Sequence, residues 1–262
     1  MAQESKPQTK PHGEEDLEEK AHADSGDIES GGGSTNPLYP KMTEDPKLRW
    51  AFIRKVYTIL SAQFAFTAAV AAVGAFVKPI PVFLLSHTPA AWAVYIVVLL
   101  LPLLVMWPML VYREKHPLNI ILLALFTVCI SLSVGISSAL VGGRAVLQAA
   151  ILTAVVVVGL TLYTFGAVRR GQDFTFLFPF LFCCLLVLVV YCLMQIFFPL
   201  GKLAHTIYGC MGTLVFSGFI IYDTERLIKR HTYNEYVFAA ISLYLDVINL
   251  FMSSLAFSSS CQ

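Results

Sequence analysis

Two aspartates stand out because each lies within or beside a long run of apolar residues. Asp246 is near the middle of the run 236–257, and Asp223 directly follows the run 203–222. A carboxylate at the centre of a bilayer costs roughly 2.5–3.5 kcal/mol on insertion scales, so it must face a bundle interior, find a partner or hold a proton. We therefore take this pair as the candidate site.

The polar residues around Asp246 follow the spacing of a helix. Ser242, Asp246, Asn249 and Ser253 are separated by four, three and four positions, which places them on one helix face. A polar stripe on an otherwise apolar helix predicts the wall of a hydrated path. The alternative is a buried packing seam held by hydrogen bonds.

Asp223 is expected to lie at a depth similar to that of Asp246. It precedes His231, in the basic turn, by eight residues, and Asp246 follows Asn234 by twelve. At about 1.5 Å per residue, the carboxylates lie roughly 12 and 18 Å from that turn, a difference of about one helical turn. Two carboxylates this close cannot easily both ionise, so we expect them to share a proton at acid pH.

Deprotonation would leave the pair able to attract a cation. Carboxylate oxygens are hard ligands that suit calcium, so the spacing predicts pH-gated cation chemistry with calcium bound transiently. The candidate basic partners are Arg113, at the end of the second apolar run, and Arg226, three residues beyond Asp223. If Asp223 acted alone, an interfacial ion pair with Arg226 or Lys229 would be the simpler interpretation.

The elements that position these residues are membrane spans. The chain has 262 residues, of which 57% are hydrophobic and 13% charged, and its mean hydropathy is +0.70. A soluble domain would carry about 25% charged residues. Seven apolar runs hold 20 to 27 residues each, enough for a helix to cross a bilayer; they are 56–77, 90–111, 118–140, 145–168, 174–200, 203–222 and 236–257. We predict an all-α polytopic membrane protein with seven transmembrane helices in contact with the lipid bilayer.

The charges predict two regions and an orientation. Residues 1–45 contain 4 basic and 11 acidic residues, and residues 46–262 contain 14 basic and 6 acidic residues. We expect 1–45 to be a disordered acidic tail and 46–262 to be the membrane domain. Eleven basic residues flank the runs on the side of the tail and three flank them on the other side, so the N-terminus is predicted to be cytosolic. The last run either crosses the membrane or is re-entrant, and the sequence leaves both open.

Several segments resemble the Lifeguard branch of the Bax-inhibitor family, and their sequences are most like those of plant members. They are Arg-Trp-Ala-Phe-Ile-Arg-Lys-Val-Tyr at 49–57, Gly-Phe-Ile-Ile-Tyr-Asp-Thr at 218–224, Lys-Arg-His-Thr-Tyr at 229–233, and the segment 240–251 around Asp246. The resemblance implies six helices around a central seventh, a pH-sensitive calcium leak and suppression of programmed cell death. It also places the paired aspartates of that fold at Asp223 and Asp246.

The same resemblance implies an endomembrane such as the endoplasmic reticulum or Golgi, with the plasma membrane or vacuole as alternatives, and membrane-protein partners in cell-death regulation. Two departures concern basic residues. No Lys or Arg lies within the first five runs, so a basic latch for the aspartates has no obvious counterpart beyond Arg113. The printed sequence ends in Ser-Ser-Ser-Cys-Gln, where relatives usually continue with a basic stretch.

Other functions fit the sequence less well. An intramembrane aspartyl protease would need Gly-x-Gly-Asp, and this chain has Tyr244-Leu245-Asp246; a seven-helix receptor would need an acidic-Arg-Tyr switch after the third run. The runner-up is a non-conducting regulator that binds other membrane proteins through the acidic tail. Because no nucleophile–base set, phosphate loop or nucleotide motif is present, we predict a protein that is not an enzyme, has no cofactor and binds no nucleic acid.

Overall fold

The computed structural model describes residues 37–40, 42–77, 79–86, 88–112, 117–198 and 201–260. Residues 1–36 and 41 of the expected acidic tail, and also Arg113, lie outside these ranges. The described residues form eight α-helices and no strand; the helices are α1 (Pro46–Phe76), α2 (Pro79–Leu84), α3 (Pro89–Val111), α4 (Leu118–Val141), α5 (Gly143–Arg169), α6 (Leu177–Phe197), α7 (Gly201–Lys229) and α8 (Tyr236–Ser260). All except α2 are long and apolar enough to cross a membrane, which confirms the seven predicted spans.

The first helix begins ten residues earlier than the apolar run predicts. Its N-cap is Asp45, whose side chain accepts a hydrogen bond from the Lys47 amide, and Pro46 occupies the first helical position. Aspartate at the cap and proline in the first turn are favourable choices for starting a helix. Hydropathy indicates which residues suit lipid and carries no information about helix capping. It therefore does not reveal the polar start of this helix.

The last helix is the central one. In its most apolar window 61% of the residues are buried inside the protein, compared with 11–39% in the other six spans. It packs directly against α7, α5, α1 and α4, while α3 packs on α4 and α6 packs on α7. This burial confirms the expected central seventh span. A continuous helix of 25 residues, about 37 Å long, has the length of a crossing rather than of a re-entrant hairpin.

Glycines allow α7 and α8 to approach closely. A Cβ atom added at Gly209 would lie 2.7 Å from the backbone nitrogen of Phe257 and 2.8 Å from the backbone oxygen of Ser253. A Cβ at Gly212 would collide with the hydroxyl of Ser253. Because hydrocarbon gives helices no hydrophobic reason to associate, contacts between small residues are a main source of their packing energy. The interface of α7 and α8 therefore depends on the absence of side chains at these two positions.

A buried arginine joins the start of α1 to the end of α7 and to the turn that follows it. Arg49 in the first turn of α1 is 1% exposed, and its Nε donates a hydrogen bond of 2.7 Å to the backbone oxygen of Ile228. Its Nη1 donates to the backbone oxygen of His231 and lies 3.6 Å from the Glu44 carboxylate. Carbonyl groups at the end of a helix have no partner within that helix, so the guanidinium satisfies groups that α7 leaves open.

We expect Gly212→Leu to destabilise the protein by about 1–3 kcal/mol, because the new side chain has to push α8 away from α7. Thermal unfolding of the purified protein in detergent measures this loss. Gly159→Leu is the matched control, since Gly159 on α5 has open space around its Cβ position. Equal losses of thermal stability in both variants would contradict the packing role of Gly212.

We expect Arg49→Met to cost about 3 kcal/mol, because two backbone carbonyls lose a charged donor. Amide hydrogen exchange should accelerate at residues 226–236, which include the end of α7 and the turn that Arg49 holds. Arg54→Met removes an exposed arginine from the same helix and should leave that exchange unchanged. Exchange that is equally fast in both variants would show that Arg49 does not hold this turn.

Candidate functional site

The structure brings the two predicted aspartates together. Asp223 on α7 and Asp246 on α8 are each 8% exposed, and their carboxyl groups lie within hydrogen-bonding reach of each other. Two ionised carboxylates can only accept hydrogen bonds, so a bond between them requires that one carboxyl carries a proton. The proximity of the two carboxyl groups is as expected, and proton sharing between them stays a prediction.

The short turn between α7 and α8 determines the depth of the pair. Asp223 lies six residues before the end of α7, and Asp246 lies ten residues after the start of α8. These positions correspond to about 9 and 15 Å of helix, a difference of one helical turn in length, as the sequence predicts. The 3₁₀ turn Tyr233–Glu235, which begins with a capping box between Thr232 and Glu235, reverses the chain tightly enough for the two helices to pack side by side.

One of the two candidate basic partners lies beside the pair. The Arg226 Nη1 atom is 3.9 Å from Asp223 Oδ1, one helical turn closer to the C-terminal end of α7. The Arg226 side chain is 33% exposed, so water screens this ion pair and its contribution is modest. Arg113 lies outside the described residues, and its role as a partner stays a prediction.

The residues of the predicted polar stripe have three different surroundings: the aspartate pair, a cavity and a packed helix interface. The Ser242 hydroxyl lies near the Asp223 carboxyl and donates a 3.3 Å hydrogen bond to the backbone oxygen of Ala239. Asn249 lines the same cavity as Asp246, whereas Ser253 is buried against the glycines of α7. For Ser253 the alternative of a packing seam therefore describes the contacts better than the wall of a path.

The cavity next to Asp246 has a volume of about 430 Å³ and lies between α6, α7 and α8. Its other walls are mainly apolar, with Leu188 and Cys192 from α6 and Tyr208 and Phe219 from α7. The Asp246 Oδ2 atom is buried and has no hydrogen-bond partner in the part of the chain that the structure describes. A buried carboxylate oxygen in this condition needs a proton, a water molecule or a cation.

A third buried carboxylate, two residues beyond Asp223 on α7, has a structural role. Glu225 is 1% exposed; its Oε1 accepts a 2.9 Å bond from Lys229 Nζ, and its Oε2 accepts a 2.9 Å bond from the Phe174 amide. These contacts attach the loop between α5 and α6 to the end of α7. In the same loop, hydrogen bonds from the hydroxyl and amide of Thr175 lower the pKa of Asp173 to about 2. The sequence analysis missed Glu225, although its spacing of four residues from Lys229 is a signal for such a pair.

A titratable histidine lies in the turn that follows α7. Burial, reinforced by the nearby Arg226 guanidinium, lowers the pKa of His231 below its ordinary value of 6.5. The unfolded chain then binds more protons than the folded one below about pH 6.5, so acidification weakens this turn. A measurement of pH dependence at the aspartate pair must therefore be controlled for His231.

A polar seam on another side of α8 is also absent from the predictions. Gln63 Nε2 donates to Thr127 Oγ1 at 2.8 Å, and the Thr67 hydroxyl is 2.9 Å from that of Ser131 and 2.8 Å from that of Tyr244. The seam joins α1, α4 and α8. A glutamine and a threonine four residues apart within an apolar run are the sequence signal that could have revealed it.

Comparison with known proteins agrees with the motifs in the sequence. The family described as inhibitor of apoptosis-promoting Bax1 matches residues 49–259. The chain is 57% identical over 234 residues to protein LIFEGUARD 1 of Arabidopsis thaliana, covering 89% of this chain and 98% of the relative. It is 39% identical over 210 residues to protein lifeguard 4 of Mus musculus, covering 80% and 85% of the two chains.

A viral relative extends this comparison. The chain is 36% identical over 212 residues to the Golgi anti-apoptotic protein of vaccinia virus (strain Lister), covering 78% of this chain and 83% of the relative. The match to the family spans nearly all of the described helices, and the relatives align over most of their own length. The chain therefore belongs to the Bax inhibitor family.

Proposed function

We propose that this protein is a pH-sensitive calcium leak channel of endomembranes, and that it limits stress responses and suppresses programmed cell death. The observation that carries the proposal is the contact between the buried carboxyl groups of Asp223 and Asp246, which lie on two adjacent spans. Few polar groups are placed at such depth in a membrane protein without a role in moving ions or protons.

The pair can couple protons to cations by simple electrostatics. While one proton is shared, the two carboxyls hold α7 and α8 together at this level. Loss of that proton leaves two negative charges in contact, which repel each other and attract a cation. The departure of the proton and the arrival of the cation are therefore linked.

Calcium is the transported ion in this proposal. It prefers six to eight oxygen ligands, and the site offers the two carboxylates, with the Asn249 side chain in the adjoining cavity. Water would have to complete the coordination, which favours brief binding and rapid release over a stable complex. Brief binding is what conduction requires.

The place of action and the biological role rest on the relatives. One relative is named a Golgi anti-apoptotic protein, and the matching family is described by the inhibition of apoptosis promoted by Bax1. These names support an endomembrane location, membrane-protein partners in cell-death regulation, and a non-enzymatic role. In the alternative function, a non-conducting regulator, the same partners would be bound without any ion flux.

Calcium flux from proteoliposomes between pH 5 and 8 tests the channel. We expect flux to increase with pH as the pair loses its proton, and Asp223→Asn and Asp246→Asn each to remove most of a change on the order of tenfold. Asp173→Asn is the matched control, because the pKa of Asp173 is about 2 and its charge is constant over this range. His231→Gln should keep the pH dependence if the aspartates are the sensor.

Wild-type flux that does not change with pH, together with unchanged flux in both aspartate variants, would overturn the mechanism. If the folded protein gives no flux at any pH, the non-conducting regulator becomes the better description. Loss of the pH response in His231→Gln alone would transfer the sensor to the cytosolic turn.

We expect Arg226→Gln to move the midpoint of the pH dependence to higher pH, because Asp223 loses the nearby cation that favours its charged form. The shift should be less than about one pH unit, since the guanidinium is partly exposed. The control is Arg230→Gln, which makes the same charge change where the side chain bonds to Thr175 instead. Equal shifts in the two variants would indicate a general surface effect rather than the ion pair with Asp223.

A further inference from the structure

A second cavity lies away from the aspartate pair, between α1 and α4. Its volume is about 740 Å³, and Tyr236 at the start of α8 closes one part of it. We call this cavity the α1–α4 groove. The side chains that matter for its chemistry are Arg54, Lys55, Ile59, Ala62, Phe66 and Ala124.

The groove is basic at one end and apolar along the rest of its length. Arg54 and Lys55 are exposed and lie at the end of α1 that is predicted to be cytosolic, whereas Ile59, Ala62 and Phe66 continue along the same helix. The distance from Lys55 to Phe66 is eleven residues, or about 16 Å of helix. This is about half of the ~30 Å hydrocarbon core, so the groove extends over roughly one leaflet.

The two basic side chains are available to bind an anion. No ion pair joins Arg54 or Lys55 to any residue that the structure describes. The Lys55 ammonium lies 3.4 Å from the centre of the Tyr236 ring, and this cation–π contact keeps the charge at the mouth of the groove. An anionic group at this position would contact both cations at the level where phospholipid headgroups lie.

We propose that the α1–α4 groove binds an anionic phospholipid of the cytosolic leaflet. The phosphate group contacts Arg54 and Lys55, and one acyl chain lies along Ile59, Ala62 and Phe66 of α1 and Ala124 of α4. Basic pockets between transmembrane helices on the cytoplasmic side are a recurrent way to recognise acidic lipid headgroups, because that leaflet is negatively charged. This site is independent of the aspartate pair and of the proposed calcium leak.

Native mass spectrometry of the purified full-length protein, titrated with phosphatidylserine or phosphatidylcholine, tests the proposal. We expect selective binding of phosphatidylserine, and a loss of roughly 30-fold in the double variant Arg54→Gln/Lys55→Gln, since each basic residue near an anionic headgroup contributes about a fivefold preference. Arg169→Gln/Arg170→Gln is the matched control; it removes two exposed charges from the same side of the membrane, outside the groove.

A variant that blocks the groove separates a lipid site from a site for free phosphate compounds. Ala124→Trp fills the apolar wall without changing charge, so it should also weaken the binding of phosphatidylserine. Soluble glycerophosphoserine, which lacks acyl chains, should not displace the lipid at equal concentration. Thermal unfolding of each variant confirms that the protein is folded.

Three results would overturn the proposal. The first is an equal loss of phosphatidylserine binding in the two double variants, which would indicate general surface charge. The second is binding of phosphatidylserine by Ala124→Trp with the affinity of the wild type, which would place the lipid elsewhere. The third is full displacement by glycerophosphoserine, which would indicate a headgroup site that makes no use of the groove.

Discussion

The close packing of α7 and α8 is the interaction on which the rest of the structure depends. Hydrocarbon cannot hydrogen-bond, so a polar side chain within a span has to find its partner on a neighbouring helix. Asp223 and Asp246 can serve each other only if the two backbones approach closely, and Gly209 and Gly212 permit this approach. The surrounding helices then keep lipid away from the pair. The glycines are therefore as much a part of the site as the carboxylates are.

The helix ends near the turn between α7 and α8 complete this arrangement with charged side chains. Arg49 satisfies one carbonyl in the last turn of α7 and one in the turn that follows, and Glu225 attaches the loop between α5 and α6 to the same end. Both side chains are fully buried, although a count of charges along the sequence assigns them to a hydrated flank. The bond from Arg49 to His231 fixes the turn before α8 and hence the position of Asp246 along the bundle. Specific contacts therefore fix the positions of the helix ends as well as those of the helix middles.

The sequence predicts the features that depend only on the order of residues along the chain. The number of spans follows from the length of the apolar runs, and the aspartates are conspicuous because they break those runs. Features that depend on the partner of a residue could not be predicted in this way. Arg49 and Gln63 bind groups on other helices, and Ser253 lies on the predicted polar face but meets a glycine surface rather than a cavity. Helical periodicity shows which residues share a face, and packing decides what that face contacts.

The polar seam has a mechanical consequence for the central helix. Tyr244 and Asp246 are two residues apart, so their side chains leave α8 in directions about 200° apart. The hydroxyl of Tyr244 bonds to Thr67 on α1, while the carboxyl of Asp246 meets α7 on the other side. Rotation of α8 about its axis would break both contacts at once, which makes that motion expensive. The central helix is therefore held in one orientation. A motion that separates the two carboxyl groups has to come from α7 and from α6, which packs on it.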